Sequence, residues 1–519
     1  MNKPQMPGLT AIIEIGSTGI RLMVAGIEAE GRWKVLDQAE KPVALGVDVF
    51  ETGQVSRESL LECLQVIRGF RELLLGWGIT GEAIRVIATS AIRAARNRDL
   101  FVDRVRQETG FLITIVDGIE ENRLMYLAVR FTLRDDLPQF WRSNSMIIDI
   151  GGGSTEIMLL RRGKMAAAHS LRLGTILIGR HARRAGAAWA SGLDWPRDTY
   201  LEERVRNTGE FLNAELELSG IKTLVLAGTD ARYLAPRIGQ ALNDQCWTID
   251  RDDFIQFVNK IRDYTPEDCI RQFQVPYGAA EGFLPGNMAY KFFLEKTAAA
   301  QVVVPFTSIR EGLLIDLALG VDPELQEEFF SQTIASAVNL GRKYHFDEDH
   351  SRHVARLCML LFDGLAREHG MNRRDRMMLE TAAVLHDIGM FVRGSSHQRH
   401  GQYIAAHSEI FGLRPEEQAV IANVVGYHRG AAPSDADIDY IALQREERTL
   451  VLKMTSLLRV ADALDRSHSQ RIQKLHLERR SESVVLHTGE PLDLSTERIS
   501  LEEKARMFQD VFGYKIVLG

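Results

Sequence analysis

Apolar runs broken by one carboxylate and a glycine-bearing loop occur twice in this chain. Ile12-Ile13-Glu14-Ile15-Gly16-Ser17-Thr18-Gly19-Ile20-Arg21 and Ile147-Ile148-Asp149-Ile150-Gly151-Gly152-Gly153-Ser154-Thr155-Glu156 share one layout. Further apolar runs follow, Ile20-Arg21-Leu22-Met23-Val24 and Ile157-Met158-Leu159-Leu160. Each then meets a turn, Glu30-Gly31-Arg32 or Arg162-Gly163-Lys164, and a further strand. Short apolar runs bounded by such signals predict strands joined in a meander. The loops therefore link strand to strand, unlike dinucleotide or Walker loops, where phosphate sits on a helix N-terminus.

The same patterning predicts an amphipathic helix over Arg57 to Leu75, a strand over Ile84 to Ala88 and a helix over Leu100 to Thr109. A second α/β stretch runs from Met146 to about Leu319, with a strand at Thr223-Leu224-Val225-Leu226 and helices near Tyr200 to Leu216 and Asp252 to Arg262. The two stretches read as duplicated halves. Beyond Val321-Asp322-Pro323 long helical patterns extend from Gln326 to about Ser469. The tail shows strand-like Lys474 to Leu477 and Ser483 to His487 and a helix over Leu501 to Phe512. The fold class is α/β with an appended helical module, divided at residues 1–123, 124–320, 321–473 and 474–519.

Glycines let the backbone approach an anion closely, so successive N–H groups can form an anion-binding concavity, and Ser17, Thr18, Ser154 and Thr155 can add hydroxyl donors. Carboxylates beside a phosphate repel it unless they hold a cation or position water. Glu14, Asp149 and Glu156 therefore imply a magnesium-type ion. A single glycine-rich turn reads as a hairpin; a carboxylate-flanked pair reads as two facing phosphate loops. With 63 Lys and Arg against 70 Asp and Glu, the net charge of −7 argues against a general nucleic-acid binder, so an anionic ligand must be held locally. Cys63, Cys246, Cys269 and Cys358 include no CxxC pair, which suggests neither a disulfide framework nor a thiolate zinc site and fits a reducing cytoplasm. The expectation is a cytoplasmic chain without signal peptide or membrane span.

Several segments together resemble the exopolyphosphatase and guanosine pentaphosphate phosphatase (Ppx/GppA) family over essentially the whole chain. They are Ile13 to Ser17, Ala88-Thr89-Ser90-Ala91-Ile92-Arg93 with Ala95-Arg96-Asn97, Gly118-Ile119-Glu120-Glu121-Asn122-Arg123-Leu124, Ile148 to Glu156, Gly228-Thr229 and Arg310-Glu311-Gly312. The resemblance implies two actin-like, ribonuclease-H-like (ASKHA) domains flanking a cleft where terminal phosphoanhydride bonds of polyphosphate or guanosine pentaphosphate are hydrolysed, then an all-α HD-type domain and a short α+β tail. It places Glu121 as the catalytic carboxylate and Gly16, Ser17, Thr18, Arg21, Arg93, Gly151, Gly152, Gly153, Ser154, Thr155, Gly228 and Thr229 at the phosphates. Glu14, Asp149 and Glu156 would hold Mg2+ there. Alternative readings stay open: Glu120 and Glu121 also suit a helix N-terminus, Arg93 a surface position, and Arg21 a pair with a neighbouring carboxylate.

The sequence departs from that family at the first loop, where Glu14 replaces the usual aspartate and Gly16-Ser17-Thr18-Gly19 replaces Gly-Ser-Asn-Ser. Ala227-Gly228-Thr229 and Pro305-Phe306-Thr307 also differ from the family's pattern. In the helical module, His350, His386-Asp387 and Asp462 resemble the ligand pattern of HD-domain phosphohydrolases, implying a divalent transition metal or magnesium. His400, His407 and His428 are candidates for a second metal or a phosphate contact, and His353 reads as a packing or surface histidine. An alternative assigns the chemistry to this module on a nucleotide phosphoester, with the actin-like part as a sensor; a third has both parts sensing without turnover. Arg342, Lys343, Arg373, Arg374, Arg376, Arg393, Arg399 and Arg429 are candidates for a basic path serving long polyphosphate. The family resemblance adds a homodimer as an expectation, and neither nucleic acid nor membrane as partner.

Overall fold

The protein is represented by a computed structural model that describes residues 8–28, 32–134, 137–138, 140–179, 197–213, 217–319, 323–489 and 493–519. The expected turn at Glu30-Gly31, the end of the expected helix at Leu216 and the junction at Val321-Asp322 lie outside these residues. Packing divides the chain into a unit ending at Glu328 and another beginning at Phe329.

In the first unit the duplication is visible in the sheets. Strands β1 (Gly8–Ile15), β2 (Gly19–Ile27), β3 (Trp33–Pro42), β4 (Ile84–Ala88) and β5 (Ile113–Ile115) form one sheet in the order β3-β2-β1-β4-β5. Strands β6 (Ser145–Ile150), β7 (Thr155–Arg161), β8 (Lys164–Leu171), β9 (Thr223–Leu226), β10 (Gln240–Asn243), β11 (Cys246–Asp250) and β12 (Gln301–Pro305) form the other, in the order β10-β11-β12-β9-β6-β7-β8. In each, an antiparallel three-strand meander lies beside two parallel strands, so β8-β7-β6-β9-β12 repeats β3-β2-β1-β4-β5. The register repeats too: Glu14 lies opposite Arg21, and Asp149 opposite Glu156. Central β1 and β6 are buried over nearly their whole length, which explains their unbroken apolar runs.

Helices cross between the parallel strands close to the expected places, at Arg57–Gly76, Arg98–Thr109, Arg197–Asn213 and Arg251–Lys260. The helix Gly118–Thr132 starts where Asp117 accepts a hydrogen bond from the Glu120 amide at 2.7 Å. It passes through the 123/124 position at which the two halves were divided on sequence. The helix Ile309–Leu319 packs across it and against β1, with Leu314 beside Ile12, Met23 and Ala25. Arg123 ties the two helices, donating to Glu120 at 2.6 Å and to Asp316 at 2.6 Å.

In the second unit, the helices Glu348–Gly364, Arg373–Leu385, His397–His407, Pro415–Tyr427 and Arg445–Ala463 pack around fully buried Leu357, Leu361, Leu379, Leu385 and Leu457. A small sheet, β13 (His476–Arg479), β14 (Ser483–His487) and β15 (Lys515–Leu518), closes the chain. Two features differ from the sequence expectation. The tail helix is two helices, Ser495–Lys504 and Arg506–Phe512, and β15 was not anticipated because a four-residue run is too short to show alternation.

The helix crossing in the first unit depends on Gly312, where a Cβ would stand 2.0 Å from the Leu124 carbonyl oxygen. Gly312→Ala is expected to lower stability by about 1–3 kcal/mol, read from the denaturation midpoint of the full chain. A change within about 0.5 kcal/mol of wild type would show that the two backbones part easily.

Candidate functional site

Both glycine-bearing loops close in the same way. The Gly16 amide donates to the Gly19 carbonyl at 3.0 Å, and the Gly151 amide to the Ser154 carbonyl at 2.9 Å. They face each other at van der Waals range, since a Cβ on Gly152 would lie 2.9 Å from Ser17 Cβ. Between them and the neighbouring strand ends lies a cavity of about 410 Å³, lined from both halves. Gly16, Ser17, Thr18, Arg21, Gly151, Gly152, Ser154 and Thr229 line it, with Glu14, Glu121, Asp149 and Glu156. Ser17 Oγ is 3.1 Å from Ser90 Oγ, at the start of the short helix Ser90–Ala94 that carries Arg93.

Glu121 sits in the first turn of Gly118–Thr132, so the helix-start reading and the cleft reading hold together. Its neighbour Glu120 turns to Arg123, while Glu121 pairs with Arg93, which also donates to the Val116 carbonyl at 2.6 Å. Burial pushes the Glu121 carboxyl up to about 7; Arg93 works against that, and Asp149 and Glu14 add to it. Burial likewise raises Asp149 to about 6, opposed by Arg232 and reinforced by Glu14. Glu156 is raised well above the ordinary carboxylate range by burial, then by Glu121 and Asp149.

Several residues expected at the phosphates have other engagements. The Thr155 hydroxyl donates to the Leu173 carbonyl, Gly153 packs against the Phe50 ring, and Gly228 abuts Tyr290 and the Ile150 backbone. None of these three lines the cavity, nor does Arg93, which reaches it through Glu121. Arg21 takes up the carboxylate alternative, 2.8 Å from Glu40 and 3.6 Å from Glu14. Glu14 is also 3.2 Å from Arg310, so both its oxygens face guanidinium groups. Asp230 and Arg232, in the turn after Gly228-Thr229, were missed on sequence. Burial and then Asp149 raise Asp230 to about 7. Their only signal was position beside a glycine, which fits any helix start.

Oxygens of Glu14, Asp149 and Glu156 do not all gather within 4.8 Å among the described residues, so the three form no closed cage. The donor set suits a cation that keeps water and takes phosphate oxygens, as Mg2+ does. Of these three, Asp149 and Glu156 form no ion pair with a guanidinium among the described residues, Glu156 accepting from Ser170 at 3.0 Å.

In the second unit His350, His386, Asp387 and Asp462 converge. His350 Nε2 is 3.9 Å from both Asp387 and Asp462, and His386 Nε2 is 3.6 Å from Asp387. Burial lowers His386 to about 4, keeping the imidazole neutral as a metal ligand must be. Of the further candidates, His428 joins the group, whereas His407 packs on Tyr403 and His400 belongs to no such cluster among the described residues. His397, unremarked on sequence, does join. It follows Gly394-Ser395-Ser396, a stretch that reads as loop. His353 is buried beside Arg356, as a packing residue is. Of the basic-path candidates, Arg342, Arg374 and Arg376 are paired with Glu348, Glu417 and Asp363. No helix among the described residues is long and apolar enough to cross a membrane.

The chain is similar to a guanosine-5'-triphosphate,3'-diphosphate pyrophosphatase of Pseudoalteromonas atlantica, 24% identical over 473 residues, covering 87% of this chain and 85% of the relative. Among solved structures it resembles an exopolyphosphatase from Cytophaga hutchinsonii, with 18% identity, TM-score 0.51 and coverage of 61% of this chain and 99% of that one. An exopolyphosphatase-like protein matches at 20% identity and TM-score 0.50, covering 60% and 98%. These structural likenesses place the fold among actin-like proteins. Residues 333–505 match domain III of the Ppx/GppA phosphatases. With duplicated loops facing across a cleft and residues 23–320 matching the family itself, the chain belongs to the Ppx/GppA phosphatase family.

Proposed function

We propose that this chain hydrolyses terminal phosphoanhydride bonds of guanosine pentaphosphate or inorganic polyphosphate, with Glu121 as general base. The observation that carries this reading is a buried carboxylate with its acidity shifted to about 7, aimed into a cavity walled by two phosphate-type loops. The relative from Pseudoalteromonas atlantica, named for a pyrophosphatase acting on guanosine-5'-triphosphate,3'-diphosphate, matches along most of the chain and supports the substrate class.

The loops would hold the terminal phosphoryl group through backbone amides and the Ser17, Thr18 and Ser154 hydroxyls. Glu121 would accept a proton from a water whose oxygen bonds to the terminal phosphorus; the bridging P–O bond breaks, the shortened chain leaves with the bridging oxygen, and orthophosphate carrying the water oxygen is released. Arg93 holds the Glu121 carboxylate in place, and Arg21 and Arg310 hold Glu14. A divalent cation at Asp149 and Glu156 would supply neutralisation of charge on the phosphate oxygens when bound.

Glu121→Gln should lower phosphate release from guanosine pentaphosphate and polyphosphate by about 10²–10⁴-fold. Undiminished release would sink the assignment, and loss on Asp387→Ala instead would place the chemistry in the C-terminal unit. Tight binding of either compound without turnover by wild type would favour a sensor.

The raised acidity of Glu121 has two consequences. Wild-type kcat/KM should fall tenfold per pH unit below about 7, because the base is then protonated. For stability the sign is opposite. The folded state holds a proton that the unfolded state releases near 4.5, so stability drops as pH rises from about 4.5 through about 7. Relative to Glu121→Gln, metal-free wild type should lose up to about 3 kcal/mol across that window, measured by denaturant melts in chelator. A flat difference would show that Glu121 titrates as an ordinary carboxylate.

A further inference from the structure

Four histidines of the C-terminal unit are held in one tautomer. Nδ1 of His386, His397 and His428 donates to the carbonyls of Ala383, Gly394 and Val425 at 2.7, 2.9 and 2.7 Å. Nδ1 of His350 donates to Asp465 at 2.8 Å. A carbonyl oxygen can only accept, so in those three rings the proton sits on Nδ1 and Nε2 presents a lone pair; the carboxylate partner fixes His350 in the same way.

All four Nε2 atoms face the Asp387 carboxylate, divided between its two oxygens. Oδ1 is 3.2 Å from His397 Nε2 and 3.4 Å from His428 Nε2. Oδ2 is 3.6 Å from His386 Nε2 and 3.9 Å from His350 Nε2. Nε2 of His397 lies 3.2 Å from Nε2 of His428. Lone pairs so arranged repel one another and the carboxylate. Among the described residues Nε2 of His350 and His386 have no hydrogen-bond partner, although both side chains are fully buried.

Cations remove both difficulties. Two ligands each about 2.0–2.1 Å from one ion, at angles of about 90–110°, stand roughly 2.9–3.4 Å apart. The spacings among His397, His428 and Asp387 Oδ1 fall in that range. We propose that the C-terminal unit holds a pair of divalent transition-metal ions bridged by Asp387. One lies among His350, His386, Asp462 and Oδ2; the second, which the sequence motif does not supply, lies among Oδ1, His397 and His428. Imidazole-rich ligation favours a transition-metal ion, iron or zinc above all, over magnesium, so this centre is chemically distinct from the carboxylate cleft. Nδ1 contacts to carbonyl groups are the outer hydrogen bonds that orient ligating imidazoles. On the far side Asp462 is paired with Lys504, which leaves its other oxygen for the first ion.

The test uses the full chain, stripped with chelator, reloaded with Mn2+ and freed of loosely bound ion before metal analysis. Wild type should retain two more ions per chain than Asp387→Asn, whatever the cleft holds, and the His397→Gln/His428→Gln double variant should retain one fewer than wild type. Mn2+-loaded wild type should also show the exchange-coupled electron paramagnetic resonance signal of a manganese pair, a readout that needs no variant. Equal retention by wild type and the double variant, or isolated-ion spectra only, would overturn the proposal. No excess of wild type over Asp387→Asn would do the same, and would mean that a shared proton rather than metal holds the cluster together. None of these outcomes bears on Glu121.

Discussion

Mutual repulsion among buried carboxylates governs the cleft of the first unit. Glu14, Glu121, Asp149, Glu156 and Asp230 line one cavity, and burial denies them the water that would screen their charges. The fold answers with Arg21, Arg232 and Arg310 in the wall and Arg93 immediately behind Glu121. The arginines are not distributed evenly. Glu14 faces two and Glu121 one, whereas Glu156 is met by the Ser170 and Ser154 hydroxyls and is raised well above the ordinary carboxylate range. That unevenness makes chemically equivalent side chains different: Glu14 is a neutralised wall, Glu121 a carboxyl poised near neutrality, and Asp149 with Glu156 an edge that would suit a cation.

The C-terminal unit meets a related difficulty with different groups. Here Asp387, with Asp462 across His350 from it, is surrounded by imidazoles whose protons are drawn away to backbone carbonyls. In both units the polar groups are positioned by strand ends or helix ends, where the backbone is rigid and its hydrogen-bonding groups are still unspent.

Much of this was legible in the sequence. The two loops were found because strand burial on both faces writes an unbroken apolar run, and the interruption by a carboxylate stands out against it. Glu121 was singled out only through a family resemblance; nothing local distinguishes it from Glu120, which pairs with Arg123 in the same turn. Glu14 was read as a cation ligand because sequence cannot show that Arg21 and Arg310 converge on it from two separate elements. Thr155 was read as a phosphate donor because a hydroxyl after a glycine run looks free, while in the fold its partner is the Leu173 carbonyl. His397 escaped notice for the complementary reason: its role exists only where the helices Arg373–Leu385, His397–His407 and Pro415–Tyr427 meet.

The crossing of Gly118–Thr132 and Ile309–Leu319 has a mechanical meaning. Gly312 brings the two backbones together with no side chain between them, and Arg123 clamps the same pair from Glu120 to Asp316. Helices in such contact cannot slide past each other; they can only turn about the point where they touch. One of them carries Glu121 at its first turn and lies on β7 and β8 of the second sheet, and the other carries Arg310 and lies on β1 of the first. The crossing is thus a fulcrum with Glu121 within a turn of it on one arm and Arg310 within a turn on the other, so rotation of one half against the other displaces these two groups least and the cleft walls farther from the crossing most.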